Sequence, residues 1–230
     1  MNPSTNDQDA RRAYETLRDG GVVLLPTDVG FGLVACTDAA IGRIYQLKGR
    51  PLAKPCVTVA NAAILDDVAM IPNQRTRAWV GQMSARAPLA VVNDVRPTSS
   101  LLGRLSPLAR EQATTHGSIA TFLNAGALVT RIAEIALSQG RMVLGSSANV
   151  AFTGNNYALE EVPASIRDAV DLVIAGPRAP YANPQRLATT ILDLRSGEFI
   201  RVGIEHATIA ASWQALGKPV NLPLPCEGRA

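Results

Sequence analysis

Lys48, Arg50 and Lys54 fall within the eleven residues YQLKGRPLAKP, 45–55. Two cations on alternate residues at a helix end repel each other unless something anionic holds them. In extended backbone, residues i and i+2 share a face, so Lys48 and Arg50 can point together. The same spacing recurs in GSSANVAFTGNN, 145–156, where Ser147 and Asn149 can share a face. Arg201 lies in FIRVG and can present a further cation from a hairpin strand. Cations, a hydroxyl and an amide beside glycine-containing backbone suit a polyphosphate. Arg binds two phosphate oxygens at once, Lys supplies a point charge, and backbone N–H groups fill the gaps.

Plainer readings compete. Lys and Arg at a helix C-terminus also complement its macrodipole, and SSAN also reads as a turn with side-chain caps. The chain has no Walker loop, no full GxGxxG and no HExxH. GSSAN further resembles a nucleophile elbow, with Ser147, Asp171 or Asp193, and His206 in the hydrolase order Ser…Asp…His. Asn149 then stands where a glycine would let strand and helix pack closely, and no HGGG-type oxyanion loop is evident.

The elements that must position these groups alternate between strand and helix. Residues 1 to about 8 read as a loose tail, and 1–9 as a flexible extension of a single domain over 10–230. Ala10, Ala13, Tyr14 and Leu17 mark a helical face, ended by Gly20-Gly21. VVLL (22–25) reads as a short buried strand stopped by Pro26, and PTDVGFGL (26–33) as the loop after it. Asp38 can cap a helix with Ile41, Ile44, Tyr45 and the stem of Lys48 inside. CVTVA, LAVVN, SIATFL, MVLG and DLVIAG read as strands. Residues 73–84, ALVTRIAEIALSQG, Ala158–Ala169 (interrupted by Pro163) and ATIAASWQALG read as helices. TTILDLRSGEFIRVG is a hairpin around Arg195-Ser196-Gly197. The pattern predicts an α/β fold with a mixed sheet.

The chain has 230 residues, 47% apolar and 18% charged, with a net charge of +3. That length suits one sizeable α/β domain, and the composition is globular. Aromatics at 4% argue against a sheet of exposed base-stacking platforms. Cys36, Cys56 and Cys226 form no CxxC pair, so neither a disulfide framework nor a zinc site is suggested. The first ten residues do not read as a signal peptide, and no apolar run is long enough to span a bilayer. A reducing cytoplasm is the expected compartment.

Taken in order, PTDVGFGL, KGRPLAKPC, SSANVAFTG, TTILD and FIRVG resemble the motifs of the YrdC-like family, the threonylcarbamoyl-AMP synthases. The resemblance spans residues 20 to 204. It implies a twisted, mixed, open α/β sheet with flanking helices around a basic concave cavity. It also implies ATP, Mg²⁺, bicarbonate and threonine as ligands, with no metal held by the protein's own side chains. Threonine's amine and bicarbonate give a carbamate that attacks the α-phosphate of ATP and expels pyrophosphate. An acyl-transferring partner enzyme then modifies adenosine in tRNA. Double-stranded RNA is a further implied partner, and a non-catalytic nucleotide- or RNA-binding protein is the alternative within the same fold.

By the same resemblance, Lys48, Arg50, Ser147 and Asn149 are catalytic. Arg50, Lys54, Ser118, Ser147 and Arg201 bind nucleotide, and Thr27 and Thr189 bind the amino acid. The departures from the family pattern gather on the amino-acid side. Val29 stands for a threonine, Val59 for a histidine and Phe122 for the arginine that faces a carboxylate.

Overall fold

The computed structural model describes residues 3–49, 54–150 and 153–222. Arg50 and Cys226 lie outside the described residues. Helix α1 (Pro3–Arg18) is followed by strands β1 (Val23–Thr27) and β2 (Gly30–Ala35), then α2 (Asp38–Lys48) and β3 (Val57–Ala60). Next come α3 (Ala62–Val68), β4 (Ala69–Met70), α4 (Gln74–Ser84) and β5 (Leu89–Val95). Helix α5 (Pro107–Ala113) leads into β6 (Thr114–Thr115) and β7 (Ser118–Leu123), then α6 (Ala127–Ser138) and β8 (Val143–Ser147). The chain closes through α7 (Ala164–Arg167), β9 (Leu172–Val173), β10 (Ile191–Asp193), β11 (Phe199–Arg201) and α8 (His206–Gln214).

Among the described residues these strands form one sheet in the order β11-β10-β5-β7-β3-β8-β2-β1-β9, with β4 beside β5 and β6 beside β7. Pairs β1/β9, β5/β10 and β3/β7 are parallel, and the other pairs are antiparallel. The sheet is therefore mixed, as expected.

Several sequence expectations need correction. From Pro3 on, the chain is helix rather than tail, because α1 starts there. Proline suits the first helical turn, where its missing N–H would have no partner anyway. Asp7 then ties α1 down, bonding Arg11 at 2.8 Å and Arg131 of α6 at 2.7 Å. Most of PTDVGFGL is strand, since Pro26 and Thr27 end β1 and Gly30–Leu33 lie in β2, which pairs with both β1 and β8. Pro26 does not stop β1 but sits opposite Phe31 within it. The expected helix over Ala158–Ala169 breaks into a 3₁₀ turn at Leu159–Glu161 and the four residues of α7. Pro163 between them lacks an N–H and clashes with a preceding turn.

The two sheet faces have different work. On one, Leu89, Val91, Ile119, Thr121 and Leu123 are buried in the core. Their neighbours Ala90, Val92, Ala120 and Phe122 turn to the opposite face, following the period of two along a strand. That second face is the floor of a cavity.

Candidate functional site

The cavity holds about 720 Å³. Its floor can be read from the registers. Ala90 of β5, Phe122 of β7 and Val59 of β3 lie level in one row. Val92, Ala120 and Val57 form the next, reaching Gly145 of β8. Val29 and Val129 add further apolar wall. Polar groups come in from the rim. Lys54 precedes β3, Ser118 opens β7, and Ser147 ends β8, while Thr189 and Arg201 come from the β10–β11 hairpin. The charged side chains of the lining are cationic: Lys54, Arg195 and Arg201. Among the described residues no carboxylate lines it. The cavity is concave and basic, with an apolar floor.

The hairpin β1–β2 and the loop after β8 are locked together along one wall. Phe31 N donates to Asn156 O, and Ala148 N donates to Phe31 O, both at 2.8 Å. The Asn155 amide donates to Val29 O and the Asn156 amide to Ala148 O, both at 2.7 Å. Gly30 permits this approach. Its φ is +132°, and a Cβ there would stand 2.8 Å from Asn156 O. Beneath the loop, Arg186 donates to Asn155 O at 3.0 Å and to Asn156 Oδ1 at 2.7 Å.

The structure gathers Thr27, Lys54, Ser118, Ser147, Thr189 and Arg201 at one cavity. It places Lys48 and Asn149 differently. Both are buried behind the wall rather than on it. The Lys48 ammonium donates to Ser147 O and lies 3.5 Å from both Ser147 Oγ and Asn149 Oδ1. It supports the strand end that presents Ser147. Gly49, with φ +55°, closes α2 at that point by bonding back to Gln46 O and Tyr45 O. Thr27 reaches the cavity, but its hydroxyl already donates to Gly30 O at 2.6 Å and accepts from Val29 N at 3.2 Å, bracing the β1–β2 turn. The Ser118 hydroxyl donates to Thr115 O at 2.6 Å, which leaves it acceptor capacity at the cavity. Arg201 Nε donates to Thr189 O at 2.7 Å.

Arg195 and His116 also line the cavity and were missed in the sequence. Arg195 read as a turn residue in RSG. Its guanidinium holds Asp193 at 2.6 Å and Asp94 at 3.2 Å. Burial pushes the Asp193 carboxyl up, but the bonds from Arg195 outweigh it and hold the group below the usual carboxylate range. Asp193 lies in TTILD, yet the second link of Arg195, to Asp94, joins residues 101 apart, and no local pattern signals it.

The serine-hydrolase arrangement does not assemble. Asp171 holds Val22 N and Arg43, and Asp193 holds Arg195. His206 packs edge-on to Phe199 at 4.7 Å, with its buried Nε2 unbonded among the described residues. Lys48, rather than a histidine, neighbours Ser147.

A family model described as "Telomere recombination", the Sua5/YciO/YrdC domain, matches residues 15–203. The chain belongs to this family. The threonylcarbamoyl-AMP synthase of Xanthomonas euvesicatoria pv. vesicatoria is 26% identical over 214 residues, covering 86% of this chain and 99% of that one. The protein of the same name from Chromohalobacter salexigens is 30% identical over 197 residues, covering 82% and 94%. Among solved structures, P. abyssi Sua5 complexed with L-threonine superposes with a TM-score of 0.72 at 19% identity, over 94% of this chain and 59% of that one. The Sua5/YciO/YrdC fold is thus the fold of this chain, and the cavity lies on its sheet. No helix among the described residues is long and apolar enough to cross a membrane.

Proposed function

We propose that this protein makes a carbamoyl-adenylate from ATP, bicarbonate and an amino acid, threonine by family membership, for the modification of adenosine in tRNA. The observation that carries this reading is a single cavity with two characters. One side has hydroxyls and cations for phosphate, and the floor is apolar enough to exclude water from a reactive carbamate.

In this reading the amine and bicarbonate condense to a carbamate with loss of water. A carbamate oxygen attacks the α-phosphorus, and pyrophosphate leaves. Lys54, Ser147 and Arg201 hold the phosphates, joined by Arg50 of the KGRP segment. Such chemistry depends on positioning and on charge stabilisation where charge develops. Lys48 serves from behind, fixing the carbonyl and hydroxyl of Ser147, and Asn149 completes that support. Thr189 faces the amino acid with a hydroxyl. Magnesium arrives on the triphosphate. Among the described residues no three His, Cys, Asp or Glu side chains come together to hold a metal ion, and the cavity wall offers hydroxyls rather than carboxylates. The adenylate then passes to an acyl-transferring partner that acts on tRNA.

Incubation with ATP, ¹³C-bicarbonate and a mixture of amino acids, read by mass spectrometry, tests the proposal and names the amine. A labelled carbamoyl-adenylate supports it. A second reading is favoured by Val29, Val59 and Phe122, which line the amino-acid side with hydrocarbon. There the cavity binds a nucleotide or double-stranded RNA without turnover. Tight ATP or RNA binding with no adenylate from any amine would select it.

A further inference from the structure

Arg186 stands behind the cavity wall and is not part of its lining, yet the wall is built on it. Its φ is +54°, a left-handed backbone that a residue other than glycine keeps only where its surroundings hold it there. Those surroundings are the loop after β8. Asn155 N donates to Arg186 O at 3.1 Å. Gly154, with φ +76°, makes room, since a Cβ on it would stand 2.6 Å from Arg186 Cβ. The guanidinium then forks into the loop, to Asn155 O through Nε at 3.0 Å and to Asn156 Oδ1 through one terminal nitrogen at 2.7 Å. Glu161 steadies the fork. Its Oε2 lies 3.4 Å from that same terminal nitrogen and accepts from Tyr157 N at 2.9 Å, while its Oε1 accepts from Arg178 at 2.6 Å.

The fork sets direction as well as place. An asparagine amide has one accepting and one donating end. With Oδ1 turned to the guanidinium, Asn156 turns its Nδ2 to Ala148 O, 2.7 Å away. Ala148 directly follows Ser147, the last residue of β8. Asn155 turns its own Nδ2 to Val29 O, also at 2.7 Å. Ser147 stands on the phosphate side of the cavity and Val29 on the amino-acid side, so one guanidinium places both. We propose that Arg186 is a positioning residue for adenylate formation. From behind the wall it fixes the spacing of Ser147 and Val29, and with it the approach of the carbamate to the α-phosphorus. The proposal rests on the carbamoyl-adenylate reading above and adds a residue that touches neither reactant. Such spacing acts on rate, because misplacing reacting groups by about 1 Å costs on the order of 100-fold. ATP keeps its partners Lys54 and Arg201, so its binding is spared.

Steady-state pyrophosphate release, with bicarbonate and a mixture of amino acids, tests this in wild type, R186G and R186K. Glycine accepts the left-handed backbone without strain and leaves space for a free guanidinium ion. Lysine keeps the charge but lacks the fork. In both variants kcat should fall about ten- to 100-fold, with KM for ATP within about threefold of wild type. Guanidinium chloride below denaturing concentration should recover part of the R186G rate, and sodium chloride at the same ionic strength should not. Folded variants with wild-type kcat would overturn the role. So would a raised KM with kcat kept, or a loss of rate in R186G that guanidinium does not relieve. Should R186G fail to fold, R186K decides by the same split between kcat and KM. A wild type that releases no pyrophosphate with any amine would instead overturn the carbamoyl-adenylate reading, and this role with it.

Discussion

Phe122→Arg probes the amino-acid side most sharply. Phe122 sits half-buried on the cavity floor, level with Val59 on one neighbour strand and Ala90 on the other. Ser118 is four residues away on the same face, or about 13 Å along the strand. Threonine placed over Phe122 would set its carboxylate against hydrocarbon, which is costly without a partner. A guanidinium there would supply a two-pronged, charge-assisted bond of about 1.5–3 kcal/mol. That corresponds to roughly ten- to 150-fold tighter threonine. ATP affinity should barely change, because its partners lie on the rim. The free variant should lose about 1–2 kcal/mol from placing a charge beside Val59 and Ala90, a fall in melting temperature of a few degrees. Titration of threonine in the presence of ATP, by calorimetry, reads the effect. A wild type that already binds threonine at micromolar levels would refute the reasoning, as would a folded variant that gains nothing.

Three further outcomes are expected. Arg195→Ala should cost about 2–3 kcal/mol, below the full loss for breaking a buried pair because Arg195 is partly exposed, or roughly 5–10 °C in thermal melts. Asp193 has a lowered pKa in the fold, so this contribution is present above the unfolded value near pH 4 and is lost as pH falls through the folded one. The gap between wild type and variant should therefore close in acid. Asp28→Asn should stabilise. Burial raises the Asp28 carboxyl, and the side chain accepts no hydrogen bond among the described residues, lying where a Cβ on Gly126 would stand. The penalty on its ionised form is full above the folded pKa and gone below the unfolded one, so melts should show a gain at pH 7 that vanishes near pH 3. Lys48→Met should lower stability by about 1–3 kcal/mol by leaving the Ser147 carbonyl unpaired. It should also weaken ATP, since that carbonyl carries Ser147, and denaturant titration with ATP binding checks both.

Much of this was legible in local pattern. SIATFL falls on β7 residue for residue, and ALVTRIAEIALS is α6. The inner face of α2 is buried as its periodicity required, down to Lys48. Motif order carried the family and the two loops at the cavity. What was not legible depended on distance. The role of Lys48 emerges only when Gly32 pairs with Ser147 and brings α2 behind that strand. Gly30–Ala35 reads as loop until β8 lies beside it. Arg195 reads as turn until Asp94, far away in sequence, completes its clamp. Helix α3 had a local signal that was passed over, the cap from Asn61 Oδ1 to Ile64 N at 3.0 Å, but seven residues give little periodicity.

Pyrophosphate release from ATP tests the central claim most directly. It should require bicarbonate and an amino acid together, and it should fall by about tenfold or more in Ser147→Ala, which removes a phosphate-side hydroxyl. Release that ignores bicarbonate, or none with any amine despite tight ATP binding, would contradict the account.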